Sequence, residues 1–124
     1  MSNNHTKLET FEPWKQAMAL VTAVDEFTRE ITPTEVYTII NPLHQTAIML
    51  TSDMAHAAGR GDLDAAFDYR YGRGHLFTIK SLVLLAEQLG HTKNNSRLLV
   101  QIETLRRAID AKLDDIKAAE DKAK

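Results

Sequence analysis

AAFDYRYGRGHLFTIKSLVLLAEQLG, residues 65–90, is the stretch whose reading decides the fold. Tyr69, Leu76 and Val83 recur every seven residues, with Ala65, Gly72, Ile79 and Ala86 beside them. Steps of three, four and seven put these positions on one side of an α-helix. A strand would need alternation, and none is present. Gly90 comes after the last periodic residue, where a left-handed terminating glycine belongs.

The same period runs outward in both directions. Upstream, the turn Gly59-Arg60-Gly61-Asp62 separates this helix from a second, and Asp62 is a fair cap for the helix over 65–90. The second helix carries Val36, Leu43, Leu50 and Ala57 in one series and Ile40, Ala47 and Met54 in another, stopping at Gly59. Thr32-Pro33-Thr34-Glu35 before it reads as a capping box with proline at the first helical position. Pro42 cannot donate to the carbonyl of Thr38, so a bend is expected near 38–43. A first helix, at about 13–31, places Ala17, Met18, Leu20, Val21, Val24, Phe27 and Ile31 on one stripe opened by Trp14, expected as a core anchor. Downstream, a polar loop leads to a helix starting near Ser96. Leu98, Ile102, Leu105, Ile109, Leu113 and Ile116 form its narrow seam.

Four helices with short connections predict an all-α, up-down-up-down antiparallel bundle over residues 11–118. Residues 1–10 read as a flexible lead and 119–124 as a frayed, charged tail. The 124 residues leave no room for a second core. The absence of cysteine excludes disulfides, cysteine metal sites and thiol catalysis. A net charge of −2 gives no overall basic footprint for nucleic acid. No apolar run approaches a membrane span, and the polar start lacks a signal-peptide core, so a cytoplasmic location is the expectation.

Three stretches carry a family resemblance: Trp14-x-x-Ala17-Met18-x-Leu20-Val21-x-x-Val24 running on to Thr28, Pro33, Glu35 and Tyr37; TAIMLTSDMAHAAGR at 46–60; and Phe67 with Gly74-His75-Leu76 through Leu85-Ala86-Glu87-Gln88-Leu89-Gly90. On these residues the chain resembles the four-helix bundle proteins encoded by intervening sequences in bacterial 23S ribosomal RNA genes. It is similar, too, to the accessory variability proteins of diversity-generating retroelements. The resemblance implies a closed homo-oligomer, commonly a pentamer, with no established catalytic activity.

Function is less legible than fold. Residues 60–97 hold six Lys/Arg against four Asp/Glu, and residues 7–35 hold six acidic against three basic. Arg60, Arg70, Arg73 and Lys80 lie in the basic-leaning stretch, with Tyr69 and Tyr71 interleaved. That pattern suits phosphate contact and base stacking. It also suits a solvated face, or arginines paired with the acidic first helix of a neighbour. Gly72 and Gly74 in mid-helix point to close helix approach, within the bundle or across a subunit contact. The expected subunit contact is therefore Tyr69, Tyr71, Gly72 and Gly74 against Glu26 and Glu30, closing head to tail into a ring. Asp53 and His56 are a single Asp-x-x-His pair, whereas a bundle metal site needs a second copy on another helix. No cofactor, metal or catalytic set is expected. The expected function is a non-enzymatic, homo-oligomeric scaffold whose partner is RNA or an RNA-handling protein such as a reverse transcriptase. The alternatives are a purely structural oligomer and, last, a small metal-binding protein at Asp53 and His56.

Overall fold

Each of the four apolar stripes is a helix. In the computed structural model, which describes residues 7–92 and 95–123, these are α1 (Glu12–Thr28), α2 (Asn41–Arg60), α3 (Ala66–Gln88) and α4 (Ser96–Ala123). All regular elements among the described residues are helical. No helix is long and apolar enough to cross a membrane. Contacts run α1–α2, α2–α3, α3–α4 and α4–α1, so the helices surround one core. Their antiparallel course shows in cross-helix pairs. Asp53 and Arg60 of α2 meet His75 and Asp68 of α3, while Arg73 and Lys80 of α3 meet Asp110 and Glu103 of α4.

The core is made of the periodic residues. Leu20 and Val24 of α1, Leu43, Leu50 and Met54 of α2, Leu76, Ile79 and Val83 of α3, and Ile102, Leu105 and Ile109 of α4 are all buried. Burying a side chain of this size contributes about 1.5–3 kcal/mol. Trp14 is half-buried and packs against this cluster. Met18, expected on the α1 stripe, is exposed instead. At α1's end the inward arc is filled by Val24, Phe27 and Ile31, and Met18 lies to one side of it.

The helix ends depart from expectation in four places. First, Thr32 makes no side-chain cap. Pro33–Glu35 is a 3₁₀ turn in which the Glu35 N–H donates to the Thr32 carbonyl at 2.9 Å. The Glu35 carboxylate, pulled away from the cap, accepts from Thr38 Oγ1 at 2.5 Å. Second, the disturbance from Pro42 is a change of helix type. Val36–Ile40 is a π turn closed by the Asn41 N–H on the Val36 carbonyl, and α2 starts afresh at Asn41. Pro42 then falls in a first turn, where its missing N–H costs no intrahelical bond. Third, α2 continues through Gly59 to Arg60, and Gly61 at φ 84° terminates it. Fourth, α3 begins at Ala66 with Ala65, rather than Asp62, at the cap position.

Gly90 does end its helix as expected, at φ 78°. The His91 N–H reaches back to the Ala86 carbonyl at 2.9 Å, the long bond of a Schellman turn. The α4 helix runs on to Ala123, past the expected fraying. Residues 1–6 of the expected lead, and Lys124 of the tail, lie outside the described residues, and Leu8–Thr10 forms a short 3₁₀ turn.

Candidate functional site

α3 is the helix on which the chain's unusual features converge. Its inner stripe is filled by Tyr69, Gly72, Leu76, Ile79, Val83 and Ala86. Tyr69 is fully buried, so it belongs to the core and not to a subunit contact. Gly72 is buried as well. A Cβ there would lie 2.5 Å from Met54 Cε and 3.5–3.6 Å from Leu50 and Ile109. Its role is thus close approach of α2, α3 and α4 inside one chain. Gly74, two residues on, is different: it faces open space, and a Cβ would meet nothing within 4 Å.

The outer side of α3 carries Phe67, Tyr71, Phe77, Leu84 and Leu85, with Leu89 just past its end, all more than 40% exposed. By comparison, exposed large apolar residues on the other helices are Met18 on α1, Ile48 and Met49 on α2, and Val100 on α4. Single exposed apolar groups are ordinary, whereas α3 carries more exposed aromatic and aliphatic side chains than any other helix among the described residues.

Two polar seams flank this face. On the α2 side, Arg60 Nε lies 3.0 Å from buried Asp68, with His56 Nδ1 at 4.0 Å from the same carboxylate. Next to it His75 Nδ1 lies 2.5 Å from Asp53 Oδ2. Burial pushes the Asp53 carboxyl above its ordinary value, against the opposing pull of the His75 hydrogen bond. On the α4 side, Arg73 and Lys80 pair with Asp110 and Glu103 at 3.1 and 3.4 Å, and Arg106 binds both carboxylates at 2.7–2.8 Å. Hydrogen bonds from Arg106 hold Glu103 below the usual carboxylate range.

The structure therefore separates the four cations that the sequence groups together. Arg60, at the end of α2, turns to Asp68 of α3, and Arg73 and Lys80 on α3 turn to α4. All three are paired within the chain. Arg70 is exposed, with no ion pair among the described residues. Glu26 and Glu30 line an open groove of about 540 Å³ between α1 and α4, which Arg97 of the same chain also lines. Glu30 additionally accepts from Thr92 Oγ1 at 3.3 Å.

Asp53 and His56 do not act together, since each turns to a different residue of α3. Among the described residues, no group of three or more His, Asp or Glu is arranged to hold a metal ion. The Asp53–His75 pair, which spacing along the sequence cannot reveal, is an acid–base couple in form. Among the described residues, the side-chain partner of His75 is Asp53. The outer face of α3 runs about 33 Å from Phe67 to Leu89 at 1.5 Å per residue, bordered by the two ion-paired seams. No family model, characterised protein or solved structure matches the chain.

Proposed function

We propose that this chain is a non-enzymatic, homo-oligomeric helical scaffold that associates through the outer face of α3. The observation that carries the reading is the set of five large apolar side chains left in water on that one helix, with Leu89 just past its end. Removing such groups from water is the main driving force of protein association. The resemblance implies a closed ring of about five copies. The basic-against-acidic contact expected to close such a ring has less support, because three of its four cations pair within their own chain. Apolar contact is then what draws copies together, and rim charges add little.

Engagement of RNA through Arg60, Arg70, Arg73 and Lys80 has weaker support for the same reason. A phosphate would have to displace an existing carboxylate at three of the four positions. A paired experiment tests the ranking. Light scattering should give an oligomer at micromolar concentration, and RNA titrations should show little salt-dependent binding. A monomer overturns the scaffold reading. Salt-sensitive RNA binding that loses nearly one unit of salt slope per arginine removed would reinstate the nucleic-acid reading.

A further inference from the structure

We infer that the occupant of the outer face of α3 is the same face of a second copy, packed antiparallel about a two-fold axis near residue 76. The inference rests on the self-association proposed above and names its geometry. Phe67, Tyr71, Gly74, Thr78, Ser81, Leu85 and Gln88 are spaced four, three, four, three, four and three, which is a heptad seam on the side of α3 away from the core. Such a seam is the part of a helix that packs into a partner helix. Its residues are graded by size: large at both ends and small in the middle.

That grading is self-complementary when the partner runs the other way. With the axis near residue 76, Phe67 of one copy packs on Leu85 of the other, and Leu85 on Phe67. Gly74 meets Thr78 beside the axis, and Tyr71 lies over Ser81. Leu89 reaches the turn that carries exposed Leu63. Phe77, on the flank, approaches its own copy. The small central residues allow the two helix axes to come close, and Gly74 has open space for that approach within its own chain. A parallel pairing would instead stack Gly74 on Gly74 and Phe67 on Phe67, leaving a void at one level and a crowd at another.

Charge agrees with the arrangement. A two-fold contact brings identical faces together, so any unpaired charge on the seam would meet its like. Here the flanking cations Arg60, Arg73 and Lys80 already have carboxylate partners. Arg70 and its copy would stand about 18 Å apart along the axis, beyond the screening length of roughly 8 Å at physiological salt. An isologous contact closes on itself as a dimer, so this pairing stands in place of the ring of about five copies that the resemblance implies.

The absence of cysteine makes site-directed labelling clean. Nitroxide labels at Arg70→Cys, Phe77→Cys and Leu84→Cys occupy one flank at heptad spacing. The antiparallel pair puts label partners about 3 Å apart along the axis at 77, about 18 Å at 70 and about 24 Å at 84. The expected result is a distance minimum at 77. Equal distances at all three positions, or long distances at all three, would overturn the two-fold pairing while leaving self-association standing. A monomeric wild type would overturn both. A second measurement avoids large labels: oxidation of an equal mixture of Gly74→Cys and Thr78→Cys proteins should give the mixed disulfide well beyond the roughly twofold excess over either homodimer that random pairing gives. Homodimers alone, or no cross-link from an oligomeric protein, would contradict the pairing. Leu85→Glu, which introduces a charge into both ends of the contact, should raise the dimer dissociation constant by at least about 100-fold.

Discussion

Gly72 and Gly74 stand two residues apart on one helix and have opposite surroundings. At Gly72 a Cβ lands on the buried tip of Met54. The side chain can swing, and alanine is favoured over glycine in a helix by about 1 kcal/mol, so Gly72→Ala should be near neutral. Gly72→Leu has no such escape and should cost about 3 kcal/mol or more. Gly74→Ala meets nothing within the chain and, in the dissociated Leu85→Glu background, should stabilise it by about 0.5–1 kcal/mol. Thermal melts of the three substitutions in that background check this order, and a Gly74→Ala chain less stable than its parent would contradict it. The sequence shows two glycines between aromatics and arginines, but not which one faces inward by contact. Periodicity does sort them. Gly72 falls on the stripe of Tyr69, Leu76 and Val83, and Gly74 falls off it. The aromatic–arginine cluster around Tyr69 suggests an interface residue and the period a core residue; the buried hydroxyphenyl shows that the period wins.

Between elements, two carboxylates make predictions of opposite sign. Asp53 is held above its ordinary value by burial, so the folded chain binds its proton more tightly than the unfolded chain. Its contribution is therefore full below a pH of about 4 and declines as pH rises through the raised value. The stability of wild type relative to Asp53→Asn should fall with rising pH across that window. Glu103 is held low by Arg106, so its contribution is present above the ordinary carboxylate value and is lost as pH falls through the lowered one. Wild type relative to Glu103→Gln should gain stability over that range as pH rises. Urea denaturation of both variants between pH 3 and pH 7, the range spanning ordinary carboxylate values, measures the two slopes; slopes of the same sign would contradict the assignment. His75→Ala leaves the half-buried Asp53 carboxylate without its partner and should cost about 1–3 kcal/mol at neutral pH. A smaller cost in the Asp53→Ala background would show the coupling. Neither seam is visible in the sequence. Asp53 and His75 lie 22 positions apart and Arg73 and Asp110 lie 37 apart, so only the register of packed helices joins them. Helix identities and core faces were legible, because each rests on a local period. The helix starts were less so: Thr32 and Glu35 have the residue types of a capping box, yet the π turn before Pro42 redirects the Glu35 carboxylate.

At the scale of the whole molecule, we propose that the outer face of α3 is a contact surface between copies. Sedimentation equilibrium of wild type beside Leu85→Glu tests it, because Leu85 is exposed in the single chain and is not part of the buried core. Both proteins should show the same helix content by circular dichroism. Wild type should sediment at a multiple of 14.0 kDa at micromolar concentration, and Leu85→Glu should return to 14.0 kDa. A wild type that stays at 14.0 kDa throughout, or a variant that assembles as well as wild type, would contradict the claim.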